Sequence, residues 1–363
     1  MAHVEKRNGR WVAVYPDHNN KSGRGARTFD RRIDAERFIA VTVASQLRGD
    51  WVDPKAGKVT VSMYADQWLA GRLIRDSTRE RYRDYVKRIE LLGHWPLGQL
   101  TSAAVERWQA DMIGDGVAPS TAATIRGIFA SMLKTAVRDR LIPASPFVGV
   151  PGIAVPRKLV EPMSVETVLA IRDTISKPYR AAVIAGAGCG LRRGECMGLT
   201  VDRIDFLRRV ITVDRQLIGV ADAAPLFGPP KTRASVRQVP APQTVLDALA
   251  AHLTEYSPGE HGLIFTAPRG GPVTRSKFGA TWRACPATPD GSRFHDLRHF
   301  YASTLIDQGE SVRVVQERLG HATAGETLNT YAHLWPNNDD RTRKAVDAVL
   351  SGTLRHDQAS GES

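Results

Sequence analysis

A segment rich in Pro and Gly divides the chain into two parts with different patterns. Its sequence, at residues 147–158, is FVGVPGIAVPRK. Pro lacks a backbone N–H and fixes φ, and Gly weakens regular structure, so no helix or central strand should continue through it. Because 363 residues are enough for two or three domains, we predict four segments. They are an N-terminal unit at 1–58, a helical domain at 59–156, a larger mixed domain at 157–336, and a C-terminal helix with a disordered tail at 337–363.

The N-terminal unit combines the patterns of a strand, a loop and a helix. WVAVY at 11–15 alternates as a half-buried strand does, and the Gly-rich KSGRGAR at 21–27 is predicted to be a loop. Apolar residues at helical spacing predict a helix over 30–47, with Gly49 at its stop.

The second unit has the pattern of an all-helical domain. Apolar residues recur every three to four positions in four segments, which predicts helices at 61–72, 77–91, 102–114 and 120–140. The last helix begins at a Ser/Thr cap and turns its apolar side to the core. Any DNA contact from this helix would therefore come from its opposite side, through Arg126, Lys134 and Arg138.

The charge balance limits the class of protein. The net charge is +12 and the sequence pI is near 9.9. A folded chain this basic usually binds a polyanion, with nucleic acid the leading candidate and a merely basic soluble enzyme the alternative. In residues 4–58, Lys and Arg outnumber Asp and Glu by 12 to 7. This excess favours a small DNA-binding module that uses Arg24 and Arg27, and a solvated basic face is the alternative.

Cysteine usage and the absence of long apolar runs point to one compartment. Cys189, Cys196 and Cys285 form no CxxC pair, which fits a reducing environment and no structural zinc. The N-terminus has no signal-peptide pattern, and the longest apolar run, AAVIAGA at 181–187, is too short to span a bilayer. We therefore expect a cytosolic protein with no membrane partner.

Two imidazoles and a guanidinium stand close together in FHDLRHFYAS at 294–303. His295, Arg298 and His299 fall at i, i+3 and i+4, so on a helix they share one face, which we expect to be displayed. In the first turns of a helix, free backbone N–H groups and the helix dipole favour an anion, so the pattern predicts a phosphate site. An internally satisfied ion-pair cluster is the alternative. Metal binding through His295 and Asp296 is disfavoured, because no further ligands cluster in the sequence.

Four further motifs accompany this stretch in order. Upstream are GCGLRRGECMGLTVDRIDF at 188–206 and PPKTRASVRQVP at 229–240, and downstream are ERLGHAT at 317–323 and TLNTYAHLW at 327–335. In this order the set resembles the tyrosine recombinases, the integrase family of site-specific DNA recombinases, over residues 164–334. The resemblance implies a multidomain, mainly α protein with small β-sheets. Its catalytic domain would have the α+β fold of that family, preceded by an all-helical core-binding domain and a small ββ(β)α arm-binding domain.

The resemblance assigns roles residue by residue. It implies two phosphate-binding arginines, Arg192 and Arg298, and a nucleophile, Tyr331. The other matched positions are a lysine in a turn between the predicted strands at 211–213 and 236–240, two histidines, a supporting acid and a supporting histidine; these are Lys231, His295, His321, Glu195 and His299.

The chemistry of these residue types agrees with the resemblance. Attack on a phosphodiester adds negative charge to its oxygens, which two permanently protonated guanidiniums can meet. The Tyr331 phenol has a reference pKa of about 10 and benefits from a base, for which His295 is the candidate. His321 can donate a hydrogen bond to the phosphate, and Lys231 can protonate the leaving deoxyribose oxygen. This scheme requires no metal, ATP or other cofactor.

The resemblance also implies a function and partners. We expect an integrase that inserts or excises phage or mobile-element DNA through a 3′-phosphotyrosyl intermediate, as a homotetramer on double-stranded attachment sites in the bacterial cytoplasm. A host DNA-bending factor and a directionality factor are further candidate partners. The alternatives are a chromosome-dimer resolvase, which the N-terminal unit disfavours, a type IB topoisomerase-like enzyme, and a catalytically silent DNA-binding regulator. An amphipathic helix predicted at 339–350 is expected to dock on a neighbouring subunit.

Overall fold

The structure is a computed structural model, and it describes residues 2–16, 23–48, 51–52, 56–156, 159–221, 224–230, 232–335, 342–344 and 346–350. Lys231 and the tail predicted at the C-terminus lie outside these residues. The chain forms two compact units, Met1–Arg157 and Lys158–Ser363, and the division falls within the segment rich in Pro and Gly.

In the first unit, three antiparallel strands form a sheet that packs against one helix. In sheet order the strands are β1 (His3–Arg7), β2 (Arg10–Pro16) and β3 (Arg24–Phe29), and the helix is α1 (Arg32–Arg48). The rings of Tyr15 and Phe38, 5.4 Å apart between centroids, join the sheet to the helix. The predicted loop is wrong for residues 24–27, which belong to β3. Gly25 suggests a loop, but the strand requires a glycine there, because a Cβ would come within 2.5 Å of the Tyr15 ring.

The described residues 56–156 of the first unit contain four α-helices. They are α2 (Val61–Ala70), α3 (Asp76–Lys87), α4 (Ser102–Gly114) and α5 (Pro119–Arg138). The side chains of Thr60 and Thr101 cap α2 and α4 by accepting hydrogen bonds from backbone N–H groups in the first turn. The apolar faces meet in one core, where the Trp108 ring lies edge-on to Phe129 at 5.1 Å. Helix α3 ends earlier than predicted, because the chain enters a 3₁₀ turn at Glu90–Leu92 that buries Leu92.

The second unit is a mixed domain in which the helices outnumber the strands. Its helices are α6 (Val165–Thr174), α7 (Arg180–Cys189), α8 (Arg193–Met197), α9 (Gln243–Glu255), α10 (Arg275–Ala284), α11 (Asp296–Asp307), α12 (Val312–Leu319) and α13 (Ala324–Tyr331). Its strands are β4 (Ile204–Asp205), β5 (Val210–Val213), β6 (Gln216–Ala221), β7 (Ala224–Gly228) and β8 (Arg237–Pro240).

The strands of this unit form two small antiparallel sheets. One has the order β4-β5-β8 and the other is the hairpin β6-β7. Strands are thus present where they are predicted at 211–213 and 236–240, and β5 and β8 pair with each other. The segment between them is more than a loop, because it carries the unpredicted hairpin. Pro225 gives that segment the appearance of a loop, yet a two-stranded sheet consists of edge strands, which tolerate proline.

Helix α7 packs in the hydrophobic core of the second unit and positions the segment that follows it. Gly186 and Gly188 let side chains of neighbouring elements approach α7 closely. A Cβ on Gly186 would come 2.7 Å from the Phe294 ring, and a Cβ on Gly188 would come 2.4 Å from Val245. Gly190 ends α7 with a φ of 60°, a left-handed conformation that suits glycine. This turn directs the chain into Arg192.

Toward the C-terminus, residues 342–344 and 346–350 are helical, which agrees with the predicted helix wherever the structure describes it. Val346, Val349 and Leu350 are exposed there. In the described parts of the chain, no helix combines the length and apolar character needed to cross a membrane.

Candidate active site

Arg298 is the most deeply buried of the predicted site residues. It lies in the first turn of α11 with only 1% of its surface exposed. Its guanidinium donates to the carbonyl oxygen of Gly190 at 2.8 Å and to that of Leu319. The expectation that this face of the helix is displayed is therefore wrong for Arg298. The ends of α7 and α12 close over it, and their carbonyl groups replace water as its partners.

Glu195 supports two arginines with one carboxylate. Its side chain is 4% exposed, and it accepts from Arg192 Nη1 at 2.9 Å and from Arg237 Nη2 at 2.9 Å. It also accepts from the backbone N–H of Arg192, which caps the first turn of α8. Burial raises the pKa of Glu195, but the charges of Arg237, Arg192 and Arg298 outweigh burial and leave the pKa below its usual value.

Arg237 is a site residue that the sequence analysis missed. It is buried at the start of β8 and donates from Nε to the carbonyl oxygen of Arg318 at 2.8 Å. In β8, Arg237 and Val239 are buried while their neighbours are exposed. An arginine at an inward position of a strand indicates a buried ion pair, because lone charges are rarely buried. That pattern was the available clue.

A tight turn at Leu319–Gly320–His321 connects the arginines with the second histidine. Gly320 has a φ of 63°, and its carbonyl oxygen accepts from Ser235 Oγ at 3.2 Å and from Arg192 Nη2 at 3.4 Å. His321 Nδ1 lies 2.9 Å from Thr327 Oγ1, which fixes the orientation of the ring. Burial, followed by the charges of Arg298 and Arg192, lowers the pKa of His321 to about 3. The ring is therefore neutral at physiological pH before an anion binds.

Tyr331 ends α13 and is almost fully buried, with 1% of its surface exposed. Its hydroxyl oxygen lies 2.8 Å from Nδ1 of His299. Burial raises the pKa of the phenol to about 12, although the positive charges of Arg298 and Arg192 act in the opposite direction. The predicted nucleophile thus lies in the electrostatic field of both predicted phosphate-binding arginines.

His295 lies just before α11, where its ring meets the His299 ring edge-on at 4.9 Å between centroids. His295 is exposed, yet nearby protein atoms partly remove water from its ring. This desolvation lowers the pKa of His295, and the charges of His299 and Arg298 lower it further. Tyr331 lies within hydrogen-bond distance of His299, whereas His295 is the base predicted from the sequence.

The residues predicted to contact DNA from the first unit have different environments. Arg126 is half-buried, donates to Gln109 Oε1 at 2.6 Å and to the carbonyl oxygen of Val150 at 2.9 Å, and lies over the Phe147 ring. Its guanidinium therefore ties the core of the helical domain together. The other candidates are exposed, and they are Arg24, Arg27, Lys134 and Arg138. Lys231 lies outside the described residues.

Among the residues that the structure describes, no three His, Cys, Asp or Glu side chains come together as metal ligands. The described site is instead dominated by cations. Arg192 and Arg237 donate to Glu195, which is the one acidic residue among the buried polar residues of the described chain, and the buried Arg298 lies on backbone carbonyl groups.

Comparisons with known proteins agree with this architecture. A sequence profile of the phage integrase family matches residues 158–338. The integrase of prophage phiRv2 from Mycobacterium tuberculosis is 28% identical over 359 residues, which cover 94% of this chain and 92% of that protein. The Tn1549 transposon integrase in complex with a circular intermediate DNA matches with a TM-score of 0.70 at 21% identity, over 80% of this chain and 99% of that chain. A lambda integrase tetramer bound to a Holliday junction matches with a TM-score of 0.58 at 18% identity, over 89% of this chain and 96% of that chain.

The two solved structures confirm the predicted fold class, a mainly helical multidomain protein with small sheets. The matched residues include Arg192, Arg298 and Tyr331. The full-length relative extends the similarity through the first unit. The chain belongs to the phage integrase family of tyrosine recombinases.

Proposed function

We propose that this chain is a site-specific DNA recombinase that breaks a DNA strand by esterifying its 3′ phosphate with Tyr331. One observation carries the proposal: the Tyr331 phenol lies 2.8 Å from His299, one residue after the buried Arg298. The adjacent carbonyl groups of Leu319 and Gly320 accept from Arg298 and Arg192, and Arg192 shares the buried carboxylate of Glu195 with Arg237. An excess of buried positive charge is costly unless an anion neutralises it. A phosphodiester supplies that anion, and its phosphorus is the atom that a tyrosine oxygen would attack.

In this proposal each side chain acts at a defined point of the phosphate. Arg192 and Arg298 would exchange carbonyl partners for phosphate oxygens and stabilise the negative charge that grows during attack. His321, held by Thr327 through Nδ1, would donate from Nε2 to the same phosphate. Lys231, assigned from the family resemblance, would protonate the leaving 5′ oxygen. The tyrosyl ester retains the energy of the broken bond, so rejoining to a new strand needs neither ATP nor a metal.

The first unit would hold the DNA on which this chemistry acts. We assign residues 1–58 to an arm-type DNA-binding domain, 59–156 to a core-type domain and 157–336 to the catalytic domain. The exposed cations Arg24, Arg27, Lys134 and Arg138 are suited to contact phosphates.

The partners proposed for the chain follow from its relatives. One relative is a prophage integrase, and solved relatives include a transposon integrase with a circular intermediate DNA and a lambda integrase tetramer on a Holliday junction. We therefore propose that this chain integrates and excises phage or mobile-element DNA as a homotetramer on paired attachment sites. A host DNA-bending factor and a directionality factor would complete the assembly.

Formation of a covalent complex tests the proposal. The protein is incubated in EDTA with a nicked duplex that carries the attachment site flanking its own gene, and the products are separated under denaturing conditions. Wild-type protein should retain the DNA as an adduct, and Tyr331→Phe should bind the duplex without forming one. A wild-type protein that binds the site and yields no adduct would instead be a silent DNA-binding regulator.

A second assay separates a recombinase from a relaxing enzyme. Two plasmids that each carry an attachment site should yield a joint product, and their relaxation should depend on the site. A type IB topoisomerase-like enzyme would relax plasmids that lack the site and would produce no joint molecule.

A further inference from the structure

The phenol of Tyr331 has one close polar partner whose role the proposed chemistry leaves open. His299 Nδ1 lies 2.8 Å from Tyr331 Oη, and the two rings meet at 64° with centroids 5.6 Å apart. His299 is partly buried, in the turn of α11 that follows His295. The group that takes a proton from a nucleophile must lie within hydrogen-bond distance of it. His299 meets that condition.

We propose that His299, rather than His295, is the base that accepts the proton of Tyr331. This inference rests on the proposed function, because it concerns the same strand cleavage. The Oη–H bond of Tyr331 breaks as Oη bonds to phosphorus, and the proton moves to His299 Nδ1. The bond from phosphorus to the 5′ oxygen breaks at the same time, and that oxygen takes a proton from the acid assigned to Lys231. In rejoining, the incoming 5′ hydroxyl gives its proton back to the group assigned to Lys231 as its oxygen bonds to phosphorus. His299 returns its proton to Tyr331 as the tyrosyl ester is displaced.

The surroundings of His299 favour the tautomer that this role requires. Asp296 Oδ1 lies 4.0 Å from His299 Nε2, on the side of the ring opposite to Tyr331. A carboxylate on that side favours a hydrogen on Nε2, which leaves the lone pair of Nδ1 directed at the phenol. Asp296 is itself held, because its Oδ2 accepts from the backbone N–H of Arg293 at 2.9 Å. Asp296 is therefore a positioning residue for His299.

The charges around His299 keep it neutral and ready to accept a proton. Burial and the charge of Arg298 lower the pKa of His299, and the charge of Asp296 acts in the opposite direction. His295 and His321 also interact with it electrostatically, the first from the start of α11 and the second from the turn after α12. From α13, Tyr331 faces it as a neutral phenol whose pKa is raised to about 12. At neutral pH this phenol ionises too rarely to react without a base.

Substitution by asparagine separates a base from a residue that only holds the phenol in place. The amide oxygen of His299→Asn can occupy the place of Nδ1 and accept the hydrogen bond, but it cannot take the proton. We expect about 100-fold slower adduct formation on nicked attachment-site DNA, with unchanged DNA affinity. Replacing Tyr331 in this variant by a fluorinated tyrosine, whose phenol is more acidic, should restore most of the rate. The same fluorinated residue should change the rate much less when His299 is present.

Two matched variants complete the experiment. His295→Asn is the first matched variant: the fluorinated tyrosine should not restore any rate that this variant loses, because in this proposal His295 does not take the proton of Tyr331. His261→Asn alters an exposed histidine paired with Glu260 and should react at the wild-type rate. DNA affinity and melting temperature establish that each variant is folded.

The outcomes separate failure of this inference from failure of the proposed function. If wild-type protein forms no adduct, the proposed function fails. If wild-type protein reacts and His299→Asn reacts within about threefold of it, against the loss expected for a general base, His299 is not the base. A slow His299→Asn protein that gains nothing from the fluorinated tyrosine would assign His299 a positioning role and overturn the inference as well.

Discussion

Arg237 Nη2 donates to Glu195 Oε2 at 2.9 Å, and Arg192 Nη1 donates to the other oxygen of the same carboxylate at 2.9 Å. Glu195 therefore serves as the shared counter-charge of two guanidiniums that come from different elements, one at the start of α8 and one in β8. This relationship fixes Arg192 in place before any phosphate arrives. The energy needed to assemble the cations is thus supplied during folding rather than during the reaction.

Removing that counter-charge should destabilise the second unit. We expect Glu195→Gln to lower the free energy of unfolding by about 3 kcal/mol, because breaking a buried ion pair leaves its arginines without compensation. Urea unfolding measures this loss. The control is Glu260→Gln, since Glu260 makes an exposed ion pair with His261, and there the change should stay below about 0.5 kcal/mol. Equal losses in the two variants would contradict the assignment.

The stability contributed by Glu195 should also depend on pH with a defined sign. Its folded pKa is lower than the ordinary value of 4.5. Ionisation of Glu195 therefore stabilises the fold fully above that ordinary value and loses this effect as the pH falls through the lowered folded value. The difference in unfolding free energy between wild type and Glu195→Gln should be constant near neutral pH and shrink in acid below 4.5. A difference that widened in acid would argue against a depressed pKa.

The turn at Gly320 should tolerate no side chain. A Cβ there would lie 2.9 Å from Ser235 Cα, which is a backbone atom that cannot move aside easily. We expect Gly320→Ala to slow adduct formation by about 100-fold, because the turn carries His321 and accepts from Arg192. Gly270→Ala is the control, because its φ is also positive at 81° but nothing lies within 4 Å of the added Cβ. Similar rates for the two variants would mean that the turn does not position the site.

Two cations of α5 should behave differently. Arg126→Ala should lower the melting temperature, because the Arg126 guanidinium donates hydrogen bonds to Gln109 and to the carbonyl oxygen of Val150. Lys134→Ala, at an exposed position, should leave the melting temperature unchanged and weaken DNA binding. Its loss should reduce the slope of log affinity against log salt by about one. A reversed pattern, with Lys134 controlling stability and Arg126 the salt slope, would refute both assignments.

The sequence predicted most elements whose signals are local. Helix α4 begins and ends where it is predicted, because Thr101 caps it and its apolar spacing is regular. The prediction was wrong in β3, where Gly25 clears the ring of Tyr15 on the neighbouring strand. It also missed the hairpin β6-β7, in which Pro225 suggests a loop. In both places the deciding contact is with a paired strand, which a local pattern does not contain.

The sequence predicts which residues belong to the site, but it does not predict the contacts between them. Motif order assigns Arg192, Arg298 and Tyr331 to the site. Helical periodicity predicts a displayed Arg298, but its burial depends on the ends of α7 and α12. The sequence predicts Arg237 as part of a strand and gives no sign of its contact with Glu195. The contact between His299 and Tyr331 joins positions that are 32 residues apart in the chain. Such contacts follow from packing, which residue spacing alone does not give.

The central claim is tested most directly by identifying the amino acid that becomes bonded to DNA. The covalent complex is digested with protease and nuclease, and mass spectrometry locates the peptide that carries a nucleotide. The account predicts one modified peptide, with the nucleotide on the Tyr331 oxygen through a 3′ phosphate, and its loss in Tyr331→Phe. A nucleotide on another side chain, or an adduct that persists in Tyr331→Phe, would contradict the account.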